Sequence, residues 1–162
     1  MTDLGAHSPG DAAAEPLRIP SSALLLGAAG ALPFVALALA SHLAFVDARD
    51  LIRSGLVAYG AVILSFLGGI AWGLAIGEPF GRAGKVALWG RLGISVVPSL
   101  LGWSALFMPH AIGLTLLALC FLMVFAIDVR FARRGWAPRW YPKLRLPLTV
   151  VVCASLSAGA LS

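Results

Sequence analysis

Few side chains in this sequence could do chemistry, and their spacing argues against most of it. His42 and His110 each stand beside an apolar run. On one side of a membrane they could serve as axial ligands of a b-type haem. No other feature accompanies them, and they read as interfacial, solvated histidines. Asp47 and Asp50 lie three apart, but a hard cation needs more oxygen ligands than two carboxylates supply. Their alternation with Arg49 and Arg53 neutralises the segment and suits a short outer loop. Cys120 and Cys153 both sit inside apolar runs. Lacking the spacing of a zinc site or a disulfide framework, they read as small buried hydrophobes. No His-Glu-x-x-His, Gly-x-Ser-x-Gly or glycine-rich phosphate loop occurs, nor a pair of acids within an apolar run. The expectation is a protein that is not an enzyme and holds neither metal nor cofactor.

The elements that carry these residues follow from composition. Of the 162 residues 60% are apolar and 12% charged, where a soluble domain carries about 25% charged residues. Mean hydropathy is +0.93. A soluble fold of this size cannot hide so much apolar surface, and glycines and prolines set among apolar residues exclude disorder. The fold class expected is all-α, a polytopic membrane bundle of five transmembrane helices. A span needs about 20 apolar residues. Charge-free stretches place spans at about 22–46 and 55–77. The run 92–127 would reach about 54 Å as one helix, well beyond a hydrocarbon core of about 30 Å. Pro109 and His110 divide it into a hairpin, 86–107 and 111–127, with Arg91 snorkelling to the interface from the opening turns of the third helix. The last span, 146–162, is the shortest.

Lys and Arg counts set the orientation. Arg18, Arg82, Lys85, Arg91, Arg130, Arg133, Arg134, Arg139, Lys143 and Arg145 share one side, against Arg49 and Arg53 on the other. The N-terminus is therefore expected in the cytoplasm and the C-terminus in the periplasm of a bacterial inner membrane. Residues 1–20 hold Asp3, Asp11 and Glu15 and lack a basic leader. They read as a mobile polar tail, not a signal peptide, ahead of a single domain at 21–162. Between residues 128 and 145 six basic residues alternate with Trp136, Trp140 and Tyr141. Such interleaving could bind single-stranded nucleic acid, but beside membrane helices the aromatics belong at headgroup level as interface anchors and the cations attract anionic lipid. Membrane lipids, and other membrane proteins, are the partners expected; nucleic acid is not.

The second span carries the densest pattern. Ala61, Ser65, Gly69, Gly73 and Gly77 recur every four residues and form one stripe of a helix. In lipid, small residues at this spacing let backbones approach closely. The stripe reads as intramolecular packing, which would make this helix central. A groove for a partner helix or lipophilic ligand, with Trp72 at its lip, is the functional alternative. The stretch from Tyr59 to Gly73 resembles the signature of a family catalogued as domain of unknown function 3429. Pro98-Ser99-Leu100-Leu101-Gly102-Trp103 agrees with it, as does Pro138-Arg139-Trp140-Tyr141 running on to Leu144-Arg145-Leu146-Pro147-Leu148-Thr149. Where that family often has a histidine before the tryptophan, this chain has Ala71, so no role of that histidine carries over. The resemblance implies a small multi-span protein of bacterial inner or mitochondrial membranes, with no established activity.

Four charges stand at the expected cytoplasmic helix ends. Glu78 closes the second span, Arg91 opens the third, Asp128 closes the fourth and Arg145 opens the fifth. Each is placed against the helix dipole, and at one depth they suggest compensation, Asp128 with Arg145 and Glu78 with Arg91. The function expected is a non-enzymatic subunit or assembly partner of a larger membrane complex. The alternative is a carrier or binder of a lipophilic molecule such as a quinone or lipid.

Overall fold

A computed structural model describes residues 19–77 and 85–162. The tail expected at 1–20 lies, through residue 18, outside the described residues, as do Glu78 and Arg82. Among the described residues the fold is all helical: α1 (Ser21–Leu43), α2 (Val46–Ile76), α3 (Lys85–Ala105), α4 (His110–Arg133) and α5 (Tyr141–Leu161). Four of them, α1, α2, α4 and α5, are long and apolar enough to cross a membrane. The third does not join them, since Arg91, Ser95, Ser99 and glycines at 90, 93 and 102 dilute its apolar residues.

Several helices run further than expected, each for a local reason. Residues 47–53, expected as an outer loop, form the opening turns of α2. Asp47 in the first turn suits the positive end of the helix dipole, and Asp50 and Arg53 pair across one turn. Only Ala44 and Phe45 then separate α1 from α2. At 31 residues, α2 is about 46 Å long and must protrude from a core of about 30 Å. The fourth helix runs to Arg133, with Arg130 and Arg133 in its last turn favouring the negative end of the dipole. The fifth starts at Tyr141 with Pro142 in its first turn, where a missing N–H costs nothing. It is therefore a 21-residue helix, long enough for a span.

Successive helices are antiparallel. The start of α1, the end of α2, the start of α3, the end of α4 and the start of α5 gather at one end, called here the basic end. At the other, Ser54 on α2 bonds His110 on α4, and His42 on α1 bonds Ala158 on α5. The second helix is central and touches all four others. Its inner side packs into a core of Phe34, Leu56, Leu64, Leu114, Leu117 and Leu156, all fully enclosed. Glycines set the closest approaches: Gly68 lies against the Ser95 carbonyl of α3, and Gly102 of α3 lies against the Ala61 backbone of α2. Leu39, Val62, Leu119 and Val150 point outwards and are exposed, as a lipid-facing surface requires.

Candidate functional site

The basic end is organised by the turn after α4. Gly135 has φ of 72°, a left-handed conformation that glycine adopts without strain. Its N–H donates to the Ala132 carbonyl at 3.2 Å, and the Trp136 N–H donates to the Phe131 carbonyl at 2.9 Å. These two bonds make a Schellman cap, and the apolar contact that usually accompanies it is present: the Phe131 and Trp136 rings meet edge to face at 5.5 Å. The cap reverses the chain within a few residues and brings α5 back along α4.

That return sets Arg145 against Asp128. Arg145 Nε donates to Asp128 Oδ2 at 3.0 Å, with the two residues 7% and 6% exposed. Neither stands at a helix end, because α4 continues to Arg133 and α5 begins at Tyr141. The dipole argument for the pair therefore lapses. Burial replaces it: each charge away from water needs the other. Glu78, the expected partner of Arg91, lies outside the described residues. Arg91 itself does not snorkel. It is 4% exposed, donates to the Leu74 carbonyl near the end of α2 at 3.2 Å, and lies 4.6 Å from the Trp136 ring centre. Arg134 approaches the same ring at 5.0 Å, so Trp136 is a cation–π platform that fastens α3 to the cap of α4.

Of the other expected interface anchors, Trp140 and Tyr141 turn inwards and line a cavity of about 480 Å³. This crevice lies between α1, α2 and α5, with Phe121 of α4 also in its wall. Its lining is apolar except at Tyr141, Arg145 and Thr149. Leu26 and Phe66 line it and are exposed, which marks an opening to the lipid-facing surface. Of these lining residues, Arg145 and Thr149 each carry an enclosed polar atom, Arg145 Nη2 and the Thr149 hydroxyl, that makes no hydrogen bond among the described residues. A second, more open cavity, of about 820 Å³, lies over the basic loop and is lined by Trp136, Arg133, Arg139 and Lys143.

The small-residue stripe divides. Ala61 packs against Gly102, but Gly69, Gly73 and Gly77 are exposed. A methyl group on Gly69 or Gly73 would meet no atom of the described residues within 4 Å beyond its own helix turn. Trp72 is exposed beside them and Ser65 is half-buried. Packing within the chain thus falls on Gly60, Ala61 and Gly68, a quarter- to a half-turn around α2 from Gly69, Gly73 and Gly77. The crevice and the basic cavity are lined by other residues than Gly69, Trp72 and Gly73. At the far end, His42 Nε2 lies 3.0 Å from the Ala158 carbonyl, and His110 Nε2 lies 2.9 Å from the Ser54 hydroxyl. The two histidines hold different helix pairs together.

A profile described as Protein of unknown function (DUF3429) matches residues 19–161. The chain belongs to this family. It is also 37% identical, over 137 residues, to Transmembrane protein 69 of Xenopus tropicalis, covering 85% of this chain and 53% of that protein. The chain thus spans about half the length of this curated relative. No solved structure matches. The DUF3429 match runs from just before α1 to the end of α5, so the bundle, the ion pair and the crevice all lie within it. Sequence reasoning missed Gly135 and Thr149 in this DUF3429 chain. Arg133-Arg134-Gly135 carried a usable signal, basic residues followed by glycine at a helix C-terminus. For Thr149 the signal was its place four residues after Arg145, on the same helix face.

Proposed function

We propose that this DUF3429 protein is a non-enzymatic subunit or assembly partner of a larger membrane complex, docking through the outer face of α2. The observation that carries this reading is the uncovered pair Gly69 and Gly73, flanked by exposed Trp72 and continued inwards by half-buried Ser65. Spacing of this kind brings membrane helices to close contact, and the chain's own helices use a different side of α2. A second transmembrane helix fits such a strip, because bare backbone offers it broad van der Waals contact.

In this reading the chain crosses a bacterial inner membrane five times. The third helix, 21 residues and so about 31 Å long, matches the hydrocarbon thickness. Its Ile94, Val97 and Leu100 are exposed as lipid-facing residues would be, while Arg91 is held on the protein side. The basic end faces the cytoplasm by the Lys and Arg asymmetry. There Arg133, Arg139 and Lys143 around the open cavity attract anionic headgroups. The test is mild-detergent purification of the wild-type protein and of a Gly69→Leu/Gly73→Leu variant, with mass spectrometry of the proteins that accompany each. A membrane partner retained by the wild type and lost by an equally stable variant supports docking. Unchanged partners, or none with either protein, would count against it.

A further inference from the structure

The crevice between α1, α2 and α5 holds an inconsistency that packing alone does not resolve. Thr149 is 2% exposed and Arg145 7%. Both line the crevice, yet the Thr149 hydroxyl and Arg145 Nη2 have no hydrogen-bond partner. Asp128 occupies only Nε of that guanidinium. Buried donors are costly to leave unmatched. Helical threonines occupy two χ1 rotamers, and rotation between them re-aims the hydroxyl without moving the backbone. The Thr149 hydroxyl can thereby face the space that its residue lines.

Three properties of the crevice restrict what would match them. First, both groups offer hydrogens, so the ligand must present an acceptor oxygen. Second, Asp128 already balances the Arg145 charge. An anion would place two negative charges on one buried guanidinium, so a neutral acceptor fits better. Third, the wall is aromatic: Phe34, Phe66, Phe121, Trp140 and Tyr141 all line it. Such a wall favours a flat conjugated ring by stacking and edge contacts. The volume, about 480 Å³, lies within the usual range for small-molecule sites of about 300–1,000 Å³. The opening beside Leu26 and Phe66 admits a molecule that arrives through the bilayer.

We propose that this crevice binds the head group of a lipid-soluble quinone, whose carbonyl oxygen accepts from Arg145 Nη2 and the Thr149 hydroxyl. The proposal is independent of docking through α2, since the two use different faces of the bundle. No electron transfer is included; the site binds and orients.

The test is saturable binding of radiolabelled decyl-ubiquinone to the full chain in lipid nanodiscs, with empty nanodiscs as the reference. Thr149→Val removes one donor at nearly constant shape and should weaken binding about fivefold, the worth of one net hydrogen bond. Thr149→Ser keeps the hydroxyl and should restore it. In Gly30→Phe a ring fills the crevice from α1, where an added Cβ meets nothing within 4 Å, and binding should be lost. Thermal unfolding of each variant identifies any that fails to fold, and the Val/Ser pair decides the matter should Gly30→Phe do so. Three results would overturn the proposal: no binding above empty nanodiscs, Thr149→Val binding as tightly as Thr149→Ser, or phosphatidylglycerol competing as well as unlabelled quinone. The last would identify an acyl-chain groove instead.

Discussion

Gly68 and Gly69 are neighbours on α2, yet one is buried against the Ser95 carbonyl of α3 and the other is exposed with open space around it. The charges divide in the same way. Asp128 and Arg145 pair at 3.0 Å inside the bundle, whereas Asp50 and Arg53 pair at 3.9 Å at the far end, with the Asp50 side chain 78% exposed. Residue type is the same in each comparison, and surroundings differ. In a membrane protein the lipid-facing and inward-facing sides are equally apolar, so hydrophobicity does not distinguish them. Steric fit and the pairing of polar groups do.

The interior ion pair should give the largest effect. Arg145→Gln or Asp128→Asn leaves the partner charge buried alone, at a cost of about 3–5 kcal/mol. The double variant should recover part of that loss. Thermal unfolding of all four proteins in one detergent measures the coupling; strictly additive losses would mean that the two charges do not support each other. Next comes the interior glycine. Gly68→Leu drives a side chain into the α3 backbone, which cannot rotate away as a side chain could, and overpacking of this kind costs about 1–3 kcal/mol. The expected readout is a lower unfolding temperature and reduced abundance. Wild-type stability for Gly68→Leu would mean that α2 and α3 do not meet backbone to backbone at this position.

How much of this was legible in the sequence depends on the kind of signal. The apolar runs gave the helices, and the break at Pro109 separated α3 from α4. The closeness of Asp128 and Arg145 was anticipated, although from a dipole placement that the longer helices remove. Charges mark loops poorly at helix ends: residues 47–53 satisfy the first turns of α2, and Arg130 and Arg133 the last turn of α4. The inner face of α2 was not legible at all. Gly60 and Gly68 form one small-residue row, Ser65, Gly69 and Gly73 another, and nothing in the chain's periodicity says which meets a neighbour. The crevice was equally hidden, because Phe34, Phe66, Phe121 and Trp140 come together only when four segments pack.

The surface ion pair sharpens the contrast from the other side. Asp50→Asn removes a carboxylate that is mostly in water, near Arg53 and 3.8 Å from His110 Nδ1. Exposed pairs are worth about 0–1 kcal/mol, so the unfolding temperature should move far less than for Asp128→Asn. A loss as large as that of the interior pair would place this end of the bundle in a drier setting than its exposure indicates.

The smallest effect on the fold is expected where the docking reading is most exposed to test. Gly69→Leu and Gly73→Leu project into open space, and leucine is the better helix former. The isolated protein should therefore be within about 0.5 kcal/mol of wild type, as substitutions away from packed features usually are. If a partner helix seats on the same strip, the added side chains hold its backbone away and the complex is lost while the monomer remains sound. Two measurements on one variant thus separate the possibilities. Unchanged stability with lost association assigns the outer face of α2 to a partner. Unchanged stability with unchanged association makes it a lipid-facing surface. Lost stability would mean that the strip is covered by the chain itself, and the division between the two faces of α2 would fail.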